Sequence, residues 1–165
     1  MTYPYGIDAD IAACDAEVFV IESPSASDHF AGTLEGRGLC ELFRLSRVPY
    51  AYRSVVDQSH LEWALRIVMS GSARYVHFSC HGDEKGIFLT DGTHLSWREF
   101  HDLVWNECDK ALKGKVVTFS ACLVGCGVEQ LLEWHSTFCS NIIAPSRKIE
   151  WAEGLAAFSG FYLRA

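Results

Sequence analysis

The sequence predicts a three-layer α/β fold, in which a mainly parallel β-sheet is covered by helices on both faces. Short runs of consecutive apolar residues recur along the chain, and such runs are typical of strands buried on both faces. Between them lie segments with the helical spacing of apolar residues, and this alternation indicates parallel strands joined by helices. The 165 residues suffice for one core, so we expect a single domain, 1–165, with an N-terminal arm, 1–15.

Five apolar runs are predicted to form the strands of this sheet. They are 17–21, 50–56, 74–80, 116–120 and 142–144. A turn cluster that contains Pro24 ends the first strand, and Pro145 stops the last one. Two shorter pieces, 87–89 and 93–95, flank Asp91-Gly92, and Asp-Gly between apolar pieces predicts a hairpin.

Five helices are predicted in the remaining segments. They are 30–45, 61–69, 97–112, 128–139 and 151–163. Glycines weaken the first half of the first helix, so we expect it to begin late. Ser96 and Glu99 form a capping box at the start of the third helix. The last helix is very apolar, so it either packs on the sheet or docks on another chain.

The composition argues against several classes of function. The formal net charge of −7 gives no general attraction to nucleic acid or to an anionic membrane, and no basic patch is visible. The longest nearly uncharged stretch, 116–128, is shorter than the roughly 18 apolar residues of a membrane span. The first residues lack the pattern of a secretory signal, and the seven cysteines form no even disulfide framework. We therefore expect a cytoplasmic protein with mostly reduced, buried thiols.

Reactive side chains follow two of the predicted strands. His81-Gly82 comes directly after the third strand, and Ala121-Cys122 comes directly after the fourth. Ligand sites of open parallel sheets lie beyond the carboxyl ends of the strands. If these two strands are neighbours, the imidazole of His81 can take the proton of the Cys122 thiol. Gly82 allows close backbone approach, and its N–H can face a developing oxyanion.

Three segments around these residues resemble a known family. They are 77–82, the hairpin 88–96, and the strand end 119–122 with Gly125 and Gly127 soon after it. Together they look like the paired signature of caspase-like cysteine peptidases, and they are most similar to the CHAT domains of bacteria. The Gln-Ala-Cys-x-Gly string of caspases is absent, which favours CHAT.

The resemblance implies a cysteine endopeptidase with a caspase-like fold that needs no cofactor. Cys122 would be the nucleophile, His81 the catalytic base and acid, and the backbone N–H groups of Gly82 and Cys122 the oxyanion donors. It also implies regulation by a partner and a role in bacterial defence or programmed death through cleavage of a partner protein. The chain is shorter than is usual for such domains, so we expect a fragment, a minimal protease, or one part of an assembly in which a partner chain completes the substrate groove.

Carboxylates near the expected rim of the site are candidate substrate-binding groups. We name Glu22, Asp28 and Asp83 for this role, and their charge favours a basic residue before the scissile bond. Arg147 and Lys148 also fall near this rim.

Other interpretations remain open at this stage. Cys126 competes with Cys122 for the role of nucleophile, and a catalytically silent interaction module would need no dyad at all. A zinc site could draw on a larger set, namely His77, Cys80, His81, Cys122 and Cys126, although their spacing argues against it. We expect His77 and Cys80 to be core residues instead. A nucleotide-binding domain would share the topology, but the first strand lacks a glycine-rich phosphate loop.

Overall fold

The structure, a computed structural model, describes residues 15–164. The predicted arm, 1–15, therefore lies outside the described residues except for Asp15. Helices and strands alternate along the described chain, as the apolar pattern predicts. The result is an α/β fold with a mostly parallel sheet.

Within residues 15–164 the sheet contains seven strands, and five of them form its parallel part. These five are β1 (Val18–Ser23), β2 (Tyr50–Ser54), β3 (Tyr75–Asp83), β6 (Val116–Ser120) and β7 (Asn141–Ile143). Their spatial order is β2-β1-β3-β6-β7, so β3 is the central strand. The four longest are rich in β-branched and aromatic residues, which suit a buried pleated surface.

The hairpin forms an antiparallel extension at one end of the central strand. Its strands are β4 (Gly86–Phe88) and β5 (His94–Ser96), joined through the turn at Asp91-Gly92. Strand β3 continues past the predicted end at residue 80, because its last residues pair with β4: His81 lies opposite Phe88, and Asp83 lies opposite Gly86. His81 is therefore held by the sheet itself rather than by a loop.

In the part of the chain that the structure describes, six α-helices lie between or after the strands. They are α1 (Ala26–Ala31), α2 (Glu35–Ser46), α3 (Gln58–Ser70), α4 (Trp97–Asp102), α5 (Gln130–Trp134) and α6 (Trp151–Tyr162). Apolar residues of α3 and α4 pack on one face of the sheet, and those of α2 and α6 pack on the other. The prediction of helices on both faces is confirmed at this level.

Three of the predicted helices differ from the structure. The predicted helix 30–45 is two helices, because Gly32 adopts a left-handed conformation (φ 72°) and ends α1. The predicted helix 97–112 keeps α-helical geometry only to Asp102, after which one wider π-helical turn, Leu103–Glu107, completes it. Two residues with positive φ, Asp109 and Lys110, then prevent any continuation.

The predicted helix 128–139 is reduced to the five residues of α5. His135 is already extended, and the chain then places the adjacent Phe138 and Cys139 both in the core. The helix ends there because the φ of −145° and the ψ of 106° of His135 lie in the extended region and not in the helical one.

The apolar face of the last helix packs on the sheet. Phe158 and Tyr162 bury α6 against the sheet, so this packing accounts for its apolar face.

Within residues 15–164, no helix combines the length and the apolar character needed to cross a bilayer.

Candidate active site

His81 and Cys122 occupy equivalent positions at the ends of neighbouring parallel strands. In the β3–β6 pair, Ser79 lies opposite Ser120 as the last partners in register. His81 and Cys122 each follow two residues later, so the register carries both to the same level at the carboxyl edge of the sheet. Adjacent strands are separated by about 4.8 Å, which places the two backbones within side-chain reach of each other.

The two chains separate immediately beyond this level. Strand β3 turns towards the hairpin, whereas the chain after β6 bends at Leu123, whose φ of 58° lies in the left-handed region. Gly82 sits where they part. A Cβ at this position would lie 2.6 Å from Val124 Cγ2 and 3.1 Å from Ala121 Cβ. Glycine is therefore required for the close contact between the His81-Gly82 segment and the loop that carries Cys122.

A cavity of about 310 Å³ opens at this point of the sheet edge. Its walls come from β3, β6, the residue Asp28 of α1 and the start of α6. His81 and Cys122 both line it, together with Ile149, Glu150 and Trp151. The two residues predicted to form the dyad thus face a common space large enough for a side chain and a peptide group.

The imidazole of His81 is held from two sides. Its Nε2 lies 2.6 Å from Oδ2 of Asp28, and its ring meets the indole ring of Trp151 edge-on with centroids 5.0 Å apart. The side chains of His81 and Asp28 remain 43% and 22% exposed, so the pair is accessible from the cavity. Asp28, predicted as a substrate-binding carboxylate, is in contact with His81.

The carboxylate of Asp28 is fixed by its own helix. The Ser25 hydroxyl donates to Asp28 Oδ2 at 2.5 Å, and the Asp28 N–H donates back to Ser25 Oγ at 3.1 Å. Partial burial raises the pKa of Asp28, but the hydrogen bonds from Ser25 and His81 outweigh it and hold this pKa below its ordinary value. The side chain is therefore ionised at neutral pH.

The thiol of Cys122 is held by the backbone of Ile149. The S–H donates to the Ile149 carbonyl at 3.4 Å, and the Ile149 N–H lies 3.5 Å from Sγ. No hydrogen bond links Cys122 to His81 within the described part of the chain.

Ile149 belongs to a segment, Pro145–Ile149, which bends at Ser146 and Arg147 and runs antiparallel to the Cys122 loop. The N–H of Leu123 donates to the Arg147 carbonyl at 3.1 Å, and the N–H of Gly125 donates to the Pro145 carbonyl at 2.8 Å. We call this segment the strap. It lies along the loop that carries Cys122 and closes one side of the cavity.

Two of the predicted substrate-binding carboxylates lie elsewhere. Glu22 is buried beneath the sheet edge, where its carboxylate accepts hydrogen bonds from the Gly36 N–H and the Tyr52 hydroxyl, each at 2.7 Å. Burial raises the pKa of Glu22, and these hydrogen bonds offset that effect only in part. Asp83 forms the turn between β3 and β4, where its Oδ1 accepts the N–H groups of Lys85 and Gly86.

The structure also shows where the residues considered for a zinc site or as a rival nucleophile lie. His77 and Cys80 are buried, and the His77 Nδ1 lies 2.8 Å from the Thr118 hydroxyl, so both are core residues as predicted. Cys126 is exposed on the far side of the loop and donates to the Ser146 carbonyl at 3.2 Å. Among residues 15–164, His, Cys, Asp and Glu form no group of three that is suited to a metal ion.

Sequence reasoning did not identify three residues of this cavity, Ile149, Glu150 and Trp151. All three follow β7, so the same rule that singled out His81 and Cys122 applies to them. Apolar residues carry no chemical signal of their own, however, and Trp151 reads simply as the start of a helix.

No model of a known protein family matches this sequence, and no curated protein is significantly similar to it.

Proposed function

We propose that the protein is a cysteine endopeptidase of the caspase-like, CHAT-like type. The observation that carries the proposal is the equivalent placement of His81 and Cys122 on paired parallel strands, with both side chains on one cavity. Two alternatives have less support. Among residues 15–164, no group of three His, Cys, Asp or Glu side chains is suited to a metal ion. A nucleotide-binding site would need a phosphate-binding loop after β1, where the sequence has Pro24.

The chemistry follows from the two side chains and the adjacent backbone. His81 takes the proton of the Cys122 thiol, and the thiolate attacks the carbonyl carbon of the scissile peptide. The N–H groups of Gly82 and Cys122 stabilise the oxyanion of the tetrahedral intermediate. The C–N bond breaks as His81 protonates the leaving amine, which leaves a thioester on Cys122. Water then attacks the thioester with His81 as the base, releasing the acid and restoring the thiol.

The charge around the cavity supports a basic residue before the scissile bond. Glu150 lines the cavity together with Asp28, and the chain as a whole carries a net charge of −7. We propose a protein as substrate, encountered in the cytoplasm, in a bacterial defence or cell-death response. No cofactor takes part in the proposed chemistry.

The contacts of Cys122 indicate how such an activity is restrained. Its thiol proton is directed to the Ile149 carbonyl, so this hydrogen bond must break before the sulfur can give its proton to His81. A regulatory partner that displaces the strap would release the nucleophile.

The proposal is tested by peptide cleavage with three variants. The purified protein is incubated with a fluorogenic peptide library that varies the residue before the scissile bond, and with candidate partner proteins. We expect cleavage after Arg or Lys that is lost in Cys122→Ala and His81→Ala. Cys126→Ala is the matched control, because this thiol lies in the same loop but outside the cavity lining, and it should cleave normally. Full activity in Cys122→Ala would contradict the proposal.

The second candidate function is a catalytically silent interaction module. The observation in its favour is that the Cys122 thiol is hydrogen-bonded to the backbone of Ile149 and has no hydrogen bond to His81 within the described residues. A partner that binds the wild type and Cys122→Ala equally, with neither protein cleaving any peptide, would favour this alternative.

A further inference from the structure

We infer that Asp28 is a positioning residue for His81, so that Cys122, His81 and Asp28 act together as a triad. The inference rests on the proposed peptidase function. It goes beyond that function because it assigns Asp28 to orienting the base rather than to binding substrate. The observation behind it is the 2.6 Å contact between Asp28 Oδ2 and His81 Nε2, two atoms that the fold brings together from positions 53 residues apart.

This contact determines which nitrogen of His81 carries the proton in the neutral ring. An ionised carboxylate can only accept hydrogen bonds, so Nε2 is the protonated nitrogen. The other nitrogen, Nδ1, is then unprotonated, and it has no hydrogen-bond partner among residues 15–164. Nδ1 is therefore the atom that receives the thiol proton. Once the imidazolium has formed, the adjacent negative charge stabilises it.

Asp28 is itself held by groups from two different elements. Ser25 bonds both to its carboxylate and to its backbone N–H. The Trp151 side chain at the start of α6 is near enough to the same carboxylate to help lower the pKa of Asp28, and it also meets the His81 ring edge-on. Such support limits rotation of both partners, which is what orienting a catalytic imidazole requires.

A merely structural ion pair is a weaker explanation. Both side chains are partly exposed, and ion pairs of this kind contribute little to stability. In addition, α1 has no buried residue, so Asp28 does not carry a buried charge that an ion pair would have to neutralise.

A spectroscopic measurement tests the contact without any substrate. Imidazole ¹⁵N shifts of selectively labelled full-length protein, recorded at a pH where the rings are neutral, distinguish the two tautomers. We expect the Nε2–H tautomer for His81 in the wild type and a mixture in Asp28→Asn, with His81→Ala used to assign the signal. A wild-type ring in the Nδ1–H form, or a tautomer unchanged in Asp28→Asn, would overturn the inference.

Kinetics then test whether the contact matters for catalysis. With the best peptide substrate, Asp28→Asn should lower kcat by about tenfold or more while KM stays close to that of the wild type. Asp28→Glu, which keeps the carboxylate, should recover part of the loss. His29→Gln is the control, since His29 is an exposed residue of the same helix, and it should leave kcat unchanged. Melting temperatures confirm that all variants are folded.

The two proposals fail in distinguishable ways. If Cys122→Ala and His81→Ala abolish cleavage but Asp28→Asn changes only KM, Asp28 binds substrate, and the triad is wrong while the peptidase stands. If Cys122→Ala still cleaves, the peptidase proposal fails, and the tautomer measurement decides independently whether Asp28 sets the protonation of His81.

Discussion

The hydroxyl oxygens of Tyr162 and Thr118 lie 2.7 Å apart and join the last turn of α6 to the strand β6. His77 of the central strand completes a buried triangle, with its Nδ1 2.8 Å from the Thr118 hydroxyl and 3.2 Å from the Tyr162 hydroxyl. The first residue of the same helix, Trp151, contacts His81 at the candidate site. Helix α6 therefore connects a buried polar network at one end with the candidate base at the other.

Removing the Tyr162 hydroxyl should destabilise the protein. Tyr162→Phe keeps the ring that packs on Phe43 and Tyr75, but it leaves Thr118 and His77 with fewer partners in the core. We expect a loss of about 1–2 kcal/mol in the free energy of unfolding, measured by urea denaturation.

The matched control for this variant is Tyr50→Phe. Tyr50 is half-buried, and its hydroxyl has no hydrogen bond to the residues that the structure describes. The free energy of unfolding of Tyr50→Phe should differ from that of the wild type by less than about 0.5 kcal/mol. Equal effects of the two substitutions would show that the buried triangle contributes nothing.

The buried carboxylate of Glu22 should make stability depend on pH. Burial raises the pKa of Glu22 above the ordinary value of 4.5, so the folded protein holds this proton more tightly than the unfolded chain. The favourable contribution of Glu22 is complete below the unfolded pKa and is lost as the pH rises through the folded one. Glu22→Gln removes this loss and still offers an oxygen to the Gly36 N–H.

Urea titrations between pH 4 and pH 7.5 check this expectation. The stability of Glu22→Gln relative to the wild type should increase as the pH rises from about 4.5 towards neutrality. Asp28 and Asp57, whose pKa values are lowered, are present in both proteins and cancel in the difference. Two parallel stability curves would mean that Glu22 titrates as it does in the unfolded chain.

The apolar runs were sufficient to predict the strands and the edge of the sheet that carries the cavity. β6 has the bounds predicted for it, and β1 and β3 differ from the prediction only at their ends. A short apolar run that is bounded by turn residues and rich in β-branched and aromatic residues favours a buried strand over a helix, and this signal is local. The position of His81 beside Cys122 also required that β3 and β6 be neighbours, which the sequence analysis assumed and the sheet order provides.

The bounds of the helices and the partners of the carboxylates were predicted less well, because both depend on residues that are distant in the sequence. α5 ends at the extended residue His135, which the local spacing of apolar residues does not reveal. Glu22 lies near the end of β1 and Asp28 follows that strand closely, yet the Glu22 carboxylate enters a buried site at the Gly36 N–H, whereas Asp28 reaches His81. Sequence alone places both near the rim and cannot tell which carboxylate meets which partner.

Native cysteine labelling should single out two of the six described thiols. Burial raises the pKa of Cys108 to about 11 and those of Cys40 and Cys139 to about 12, and it raises the pKa of Cys80 as well. At pH 8 a thiol with a pKa of about 11 is ionised in roughly one molecule in a thousand. We therefore expect iodoacetamide to modify Cys126 and Cys122 in the folded protein well before these four.

Peptide mapping by mass spectrometry measures this order. Cys126 is exposed and should react first, and Cys122, half-buried and bonded to Ile149, should follow. Labelling in urea is the control, since all the thiols should then react at similar rates. Early native modification of Cys80 or Cys139 would contradict the packing around β3 and α5.

A pair of glycine substitutions tests the close packing behind the candidate site. Gly127 lies against the hairpin, and a Cβ there would overlap the carbonyl oxygen of Glu84 and lie 2.9 Å from the Trp97 indole nitrogen. That nitrogen donates to the same carbonyl at 3.0 Å, so neither group can move without breaking their hydrogen bond. Gly127→Ala should cost about 2 kcal/mol or more in unfolding free energy.

The matched control, Gly160→Ala, should change the unfolding free energy in the opposite direction. Nothing lies within 4 Å of its added methyl group, and alanine stabilises a helix interior by about 0.5–1 kcal/mol relative to glycine. Thermal and urea unfolding of both variants provide the comparison, and a Gly127→Ala protein as stable as Gly160→Ala would show that the loop after Cys122 does not pack on the hairpin in this way.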